Sequence, residues 1–224
     1  MPSKQDPIKL IKAALTESCR IDHVKTPVDV SMDGDCLIIE GMVERVSQKK
    51  KIMLAAMSLN NVTGVVDRLL VRPASRMTDA EIRDHVHASF IDEPVLKETE
   101  IRIEVERGIV DIEGKVGSLS HKRMAGALAW WVPGVTDVIN SLEVVPPEED
   151  NADEITDALR LIFEKDRLVD ASAITISVSG WTVTLDGTAP GEAEREAAED
   201  DAWCVWGVND VISRITISTT GARH

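Results

Sequence analysis

The same order of residue types is written three times along this chain, and that repetition limits its folds more than any other feature. In residues 78–146, Thr78-Asp79-Ala80-Glu81 is a capping box opening a helix whose Ile82, Val86 and Phe90 stand at i, i+4 and i+8. Ile101, Ile103 and Val105 then alternate as a strand. Arg107-Gly108 makes a turn, Val110 and Ile112 alternate again, and Gly114 is predicted to close the second strand of a β-hairpin. A second helix is predicted from about Ser120, with Met124, Ala125, Leu128 and Val132 inward and Pro133-Gly134 stopping it. Val138, Asn140, Leu142 and Val144 supply the last strand.

Residues 151–218 repeat the plan: Asn151 to Glu154 cap a helix carrying Ile155, Leu159, Ile162 and Phe163, followed by a strand with Ile174, Ile176 and Val178. Gly180, Gly187 and Gly207 mark the joints that Gly108, Gly114 and Gly134 mark in the second copy. Residues 1–74 keep a looser frame, with Ile8, Ile11 and Leu15 on a helix, Val28 and Val30 on a strand, then Leu37 and Ile39, and joints at Gly34, Gly41 and Gly64. From Gly34 to Gly41 and from Gly180 to Gly187 is 7 residues, against 6 from Gly108 to Gly114, which predicts first and third hairpins one residue longer than the second. Linkers are expected at 73–77 and, stiffer, at Pro146-Pro147-Glu-Glu-Asp150. The expected fold is α+β: three tandem αββαβ modules, each a small three-stranded mixed sheet packed on two helices. A domain of ~70 residues buries only about 60% of its unfolded surface, so contacts between copies are expected to matter.

The run Gly108-Ile-Val-Asp-Ile-Glu-Gly114, followed by Pro133-Gly134-Val135-Thr-Asp-Val138-Ile-Asn140-Ser-Leu142, resembles the BON domain of bacterial osmotically inducible and nodulation-related proteins. The third copy carries the same pattern as Gly180-Trp-Thr-Val183-Thr-Leu185-Asp-Gly187 and Gly207-Val208-Asn-Asp-Val211. The first departs from it, with 23 residues from Gly41 to Gly64 and no Val-x-Asn spacing in Gly64-Val-Val-Asp-Arg-Leu69. The resemblance implies a bacterial source and a role at phospholipid surfaces or as a scaffold in osmotic or envelope stress, and implies no catalysis. Its motif consists of turn glycines and core aliphatics, so it hands over no ligand-contacting residue.

Charge and tryptophan therefore nominate the candidate surfaces. Residues 1–74 hold 11 basic and 9 acidic side chains, 75–148 hold 8 and 14, and 149–224 hold 6 and 16, giving +2, −6 and −10 within a total of −14. Exposed charges are screened beyond about 8 Å, so a basic cluster can act locally on an acidic chain. Lys49, Lys50 and Lys51 open the second helix of the first copy, and Lys122 and Arg123 occupy that place in the second. Basic groups there oppose the helix dipole, which a phosphate or headgroup would relieve. Trp130, Trp131, Trp203 and Trp206 cluster before helix-ending glycines, suiting either a membrane interface or a seam between modules, while Trp181 at a hairpin tip is expected to be exposed.

The expected partner is an anionic phospholipid surface, or alternatively a protein partner for a scaffold or cation-responsive module. Nucleic acid is disfavoured by the net charge of −14 and by 3% aromatic residues. Cys19, Cys36 and Cys204 lack zinc spacing, His85 and His87 fall on opposite helix faces, and His23, His121 and His224 stand alone. Asp33-Gly34-Asp35 lacks the other ligands of a calcium loop. No phosphate loop or nucleophile elbow appears, so neither enzyme activity nor a cofactor is expected. Asp6, Lys9 and Lys12 interrupt the apolar core that a signal peptide needs, and no run reaches the ~18–20 residues of a membrane span, so a cytoplasmic location, peripheral to the membrane at most, is expected.

Overall fold

The structure, a computed structural model, describes residues 7–17, 27–60, 62–97 and 99–218. The side chain of Leu15 lies outside the described part, as do Cys19, His23 and His224. Module one consists of α1 (Pro7–Glu17), β1 (Val28–Asp33), β2 (Cys36–Val43), α2 (Val46–Met57) and β3 (Gly64–Val71). Module two has α3 (Asp79–Ile91), a single turn α4 (Pro94–Lys97), β4 (Arg102–Glu106), β5 (Ile109–Val116), α5 (Leu119–Trp130) and β6 (Asp137–Val144). Module three has α6 (Ala152–Lys165), β7 (Ile174–Ser179), β8 (Thr182–Ala189), α7 (Glu192–Cys204) and β9 (Asp210–Ile217).

Each module closes its own mixed sheet, in the orders β1-β2-β3, β4-β5-β6 and β7-β8-β9. The first two strands of each pair antiparallel through a hairpin, and the third runs parallel to the middle one because a helix carries the chain back across the sheet. The α+β class and the repeated sheets are those the sequence implies. The α4 turn, which buries Leu96, is an addition to the repeated plan.

The hairpins correct the expected lengths. All three loops have two residues, since Asp33 faces Cys36, Glu106 faces Ile109 and Ser179 faces Thr182. In module two both loop residues have positive φ, Arg107 at 54° and Gly108 at 79°, the requirement of a type I′ turn. In the other two only the first loop residue, Gly34 or Gly180, is positive, at 60°, as in type II′. The glycine has moved by one position within a loop of constant length, which accounts for the spacing of 7 against 6. Arg107 tolerates its left-handed backbone because the Asp79 carboxylate accepts hydrogen bonds from the Arg107 and Gly108 amides, at 2.9 and 2.8 Å.

Gly41, Gly114 and Gly187 do not close the second strand as expected; each lies inside it, two residues before the strand ends. They are required by backbone proximity. Gly114 has φ of 139°, and a Cβ there would stand 2.5 Å from the Glu100 carbonyl oxygen. Gly41 and Gly187 meet the carbonyls of Pro27 and Ala173 in the same way. The first strand of each hairpin can therefore start hard against the middle strand.

Backbone contacts divide the chain into two compact units, one ending at Arg72 and one starting at Pro73, so modules two and three share a unit. Module one buries Ile11, Leu37, Ile39, Val43, Ile52 and Leu69 in its own core. In the larger unit one apolar cluster runs from Ile82 and Val110 through Leu128, Ile155 and Leu159 to Val183 and Ile215. Its centre is α5. Nine of the twelve residues of that helix are buried, among them Ala125, Gly126, Ala127 and Ala129, so it has almost no solvent face. It packs on its own sheet and on α6 and α7 of module three, and its small residues permit the close approach.

Candidate functional site

The basic clusters divide into buried and accessible halves. Lys49 is buried, donates to the Leu69 carbonyl at 2.6 Å and pairs with Asp67 at 3.2 Å. Asp67 holds the register position that Asn140 holds in module two, where the neutral amide donates to the Lys122 carbonyl at 2.7 Å. Lys49 is the buried member of its pair, and Asp67, at the sheet surface, supplies the counter-charge. Lys50 and Lys51 are half-buried on α2.

Arg123 lies deeper still, with no exposed surface. Its Nη2 pairs with Asp150 at 2.5 Å, its Nε donates to the Trp206 carbonyl at 3.0 Å, and the guanidinium stands 5.6 Å from the Trp206 ring centroid. It is a bolt between modules rather than a surface cation. Lys122, next to it, is half-buried, with its ammonium 5.7 Å from the same ring. Burial, and after it the neighbouring Arg123 guanidinium, pull the Lys122 ammonium below the ordinary lysine value. An anion beside Lys122 would relieve both effects.

The tryptophans separate in the same manner. Trp203 is buried, Trp130 is half-buried against the apolar cluster, and the Trp131 indole donates to Asp201 Oδ1 at 2.7 Å across the seam. Trp206 and Trp181, by contrast, are 53% and 40% exposed. They adjoin one point. A Cβ on Gly207 would stand 3.7 Å from the Trp181 ring and 3.3 Å from Arg123 Nη2, and the Trp181 carbonyl accepts from Asn209 at 2.8 Å. Trp181, Trp206 and Lys122 therefore form one amphipathic patch where module three meets the start of α5, with Arg123 fixing the Trp206 backbone from behind.

Sequence reasoning missed Asp150, a linker acid that becomes the partner of Arg123, and Asp201, one of several acids on α7. Only the three-dimensional neighbours distinguish them. Among the described residues no group of His, Cys, Asp and Glu is arranged to hold a metal, and no helix is long and apolar enough to cross a membrane. A cavity of about 270 Å³ lies between α6 and β7, lined by Phe163, Ile174 and Ile176 and bordered by Arg160, which pairs with Asp157.

A family model described as the BON domain matches residues 9–73, 78–146 and 151–219. The chain is similar to the osmotically-inducible protein Y of Escherichia coli (strain K12), 26% identical over 152 residues that cover 65% of this chain and 76% of that protein. Among solved structures it is similar to the C-terminal domain of CdsD, a structural protein of the type III secretion system of Chlamydia trachomatis, at 14% identity and a TM-score of 0.25, covering 96% of this chain and 98% of that one. A second CdsD structure gives a TM-score of 0.27 at 14% identity, covering 94% and 91%. Three matches that follow one another through nearly the whole chain place this protein in the BON domain family, with three copies in tandem.

Proposed function

We propose that this protein is a non-enzymatic, peripheral binder of anionic phospholipid surfaces that acts in osmotic or envelope stress. The observation that carries the reading is the patch of Trp181, Trp206 and Lys122, two exposed indoles beside one partly desolvated ammonium. Indoles favour the headgroup level of a bilayer, and a lysine near an anionic surface contributes about 1 kcal/mol. Lys50 and Lys51 supply a second basic point on module one, and two weak sites on one chain gain by avidity. The similarity to an osmotically inducible protein supports the stress assignment. A cytoplasmic location, with reversible attachment to the membrane, belongs to the same proposal.

A second reading, a soluble scaffold for a basic protein partner, is favoured by the outer face of the second sheet. There Glu104, paired with Arg102, stands directly opposite Asp111, whose buried Oδ1 receives no donor, a place that a cationic partner would satisfy.

Vesicle co-flotation separates the two readings. The protein is expected to float with phosphatidylglycerol-rich vesicles and not with pure phosphatidylcholine, and to be released as salt rises. Lys122→Glu should weaken binding at least about fivefold, the equivalent of ~1 kcal/mol, and Trp206→Ala should abolish a blue shift of tryptophan emission. Failure to float with either vesicle at low salt would remove the lipid reading.

A further inference from the structure

Three groups from three elements converge beneath the seam between modules two and three. Asp201, on α7, is 4% exposed, and its Oδ1 accepts the Trp131 indole from the end of α5. Its Oδ2 is fully buried and receives no donor. The charged groups acting on it are both acids: Asp166, just past the end of α6, and Asp200, its neighbour on α7. The nearby cations are otherwise engaged, Lys165 by Glu93 at 2.5 Å and Arg195 by Glu192 and Glu199. Strands β8 and β9 turn Val183, Leu185 and Ile215 toward the helices and carry Asp186 and Arg214 on the opposite face. An ionised Asp201 would be desolvated, faced by like charge and short of one donor. A protonated Asp201 keeps the indole bond on Oδ1 and donates from Oδ2 to the Asp166 carboxylate, which gives the buried Oδ2 the partner it otherwise lacks.

We propose that a proton held between Asp201 and Asp166 latches module three onto module two, and that its loss on alkalinisation loosens the seam. The latch is independent of lipid binding and uses none of the patch residues. Burial first, and the Asp166 charge second, push the Asp201 carboxyl up from 3.8 to about 8. The closed seam therefore holds one more proton than the open one between those two values. Opening becomes about tenfold more favourable with each pH unit across that window and levels off above it, so acid tightens the seam and base releases it.

Hydrogen exchange of the Trp131 indole N–H, followed in the full chain from pH 5.5 to 9 and corrected for intrinsic exchange, reads this opening. The opening equilibrium is expected to rise roughly a hundredfold between pH 5.5 and 7.5 and then flatten above pH 8. Asp201→Asn retains an acceptor for the indole and a donor for Asp166, so its seam should remain closed and pH-independent to pH 9. Infrared titration of the unaltered protein tests the same proton without any variant: a protonated carboxylic acid should persist at pH 7 and disappear above pH 8. A pH-independent opening equilibrium in the unaltered protein, or no protonated carboxyl at pH 7, would overturn the latch.

Discussion

Gly114→Ala is expected to unfold the larger unit or lower its stability by roughly 3–5 kcal/mol. Left-handed or mirror-β backbone costs a residue with a Cβ about 1–3 kcal/mol, and here the added atom would also stand 2.5 Å from the Glu100 carbonyl oxygen, which cannot rotate away as a side chain can. Relief requires the start of β4 to separate from β5, and that pair holds the outer edge of the sheet on which α5 rests. In a unit of this size a loss of that magnitude is a fall of about 10–15 °C in Tm. Gly117→Ala is the control. No atom lies within 4 Å of its added Cβ and its φ is ordinary, so a change within about 1 kcal/mol is expected there. Thermal unfolding of the two variants side by side checks the argument, and equal losses would show that backbone proximity is not what the strand glycine serves.

Arg123→Ala should cost the same unit about 3–5 kcal/mol, the usual penalty for removing one partner of a buried ion pair. Four contacts end at once: the pair with Asp150, the bond to the Trp206 carbonyl, the stack on the Trp206 ring and the packing of the alkyl stem within the seam. Asp150 keeps some exposure and can be rehydrated, whereas the space left in α5 cannot be refilled by the small residues around it. Denaturant unfolding of Arg123→Ala, Asp150→Ala and the double variant measures the pair itself. The double variant should lose about 1–3 kcal/mol less than the two single losses added together. Strict additivity would mean that the guanidinium works through packing and the Trp206 carbonyl alone.

The repeated architecture was legible because its signals are local. The capping box at Thr78 to Glu81 forms as written, with the Thr78 amide donating to Glu81 at 2.7 Å and the Glu81 amide donating back to Thr78 at 3.3 Å. Ile82, Val86 and Phe90 all point inward at the predicted helical spacing. The site was less legible, because its residues are defined by a neighbouring module. His121-Lys122-Arg123 reads as a solvated basic face when α5 is considered with its own sheet alone. Once module three covers that helix, one of the two cations is sealed in and its neighbour is left at the rim. Lys49 and Lys50 part for a similar reason, since only one of them can reach Asp67 on a strand 18 residues further along the chain. Asp201 stands in the run Glu199-Asp200-Asp201, where no sequence feature marks one acid from the next. What singles it out is the indole on one oxygen and the absence of a donor on the other.

The burial of α5 on all sides also has a consequence for synthesis on the ribosome. The sheet of module two can be completed once β6 is available at Val144, but of the two helices that cover the other side of α5, α6 is finished only at Lys165 and α7 only at Cys204. At ~5–20 residues per second, the interval of 60 residues from Val144 to Cys204 lasts roughly 3–12 s. Until it closes, the nascent chain displays the part of α5 that α7 will cover, with Arg123 still lacking its bond to the Trp206 carbonyl, and this is the surface on which chaperones or a second nascent copy would compete with α7.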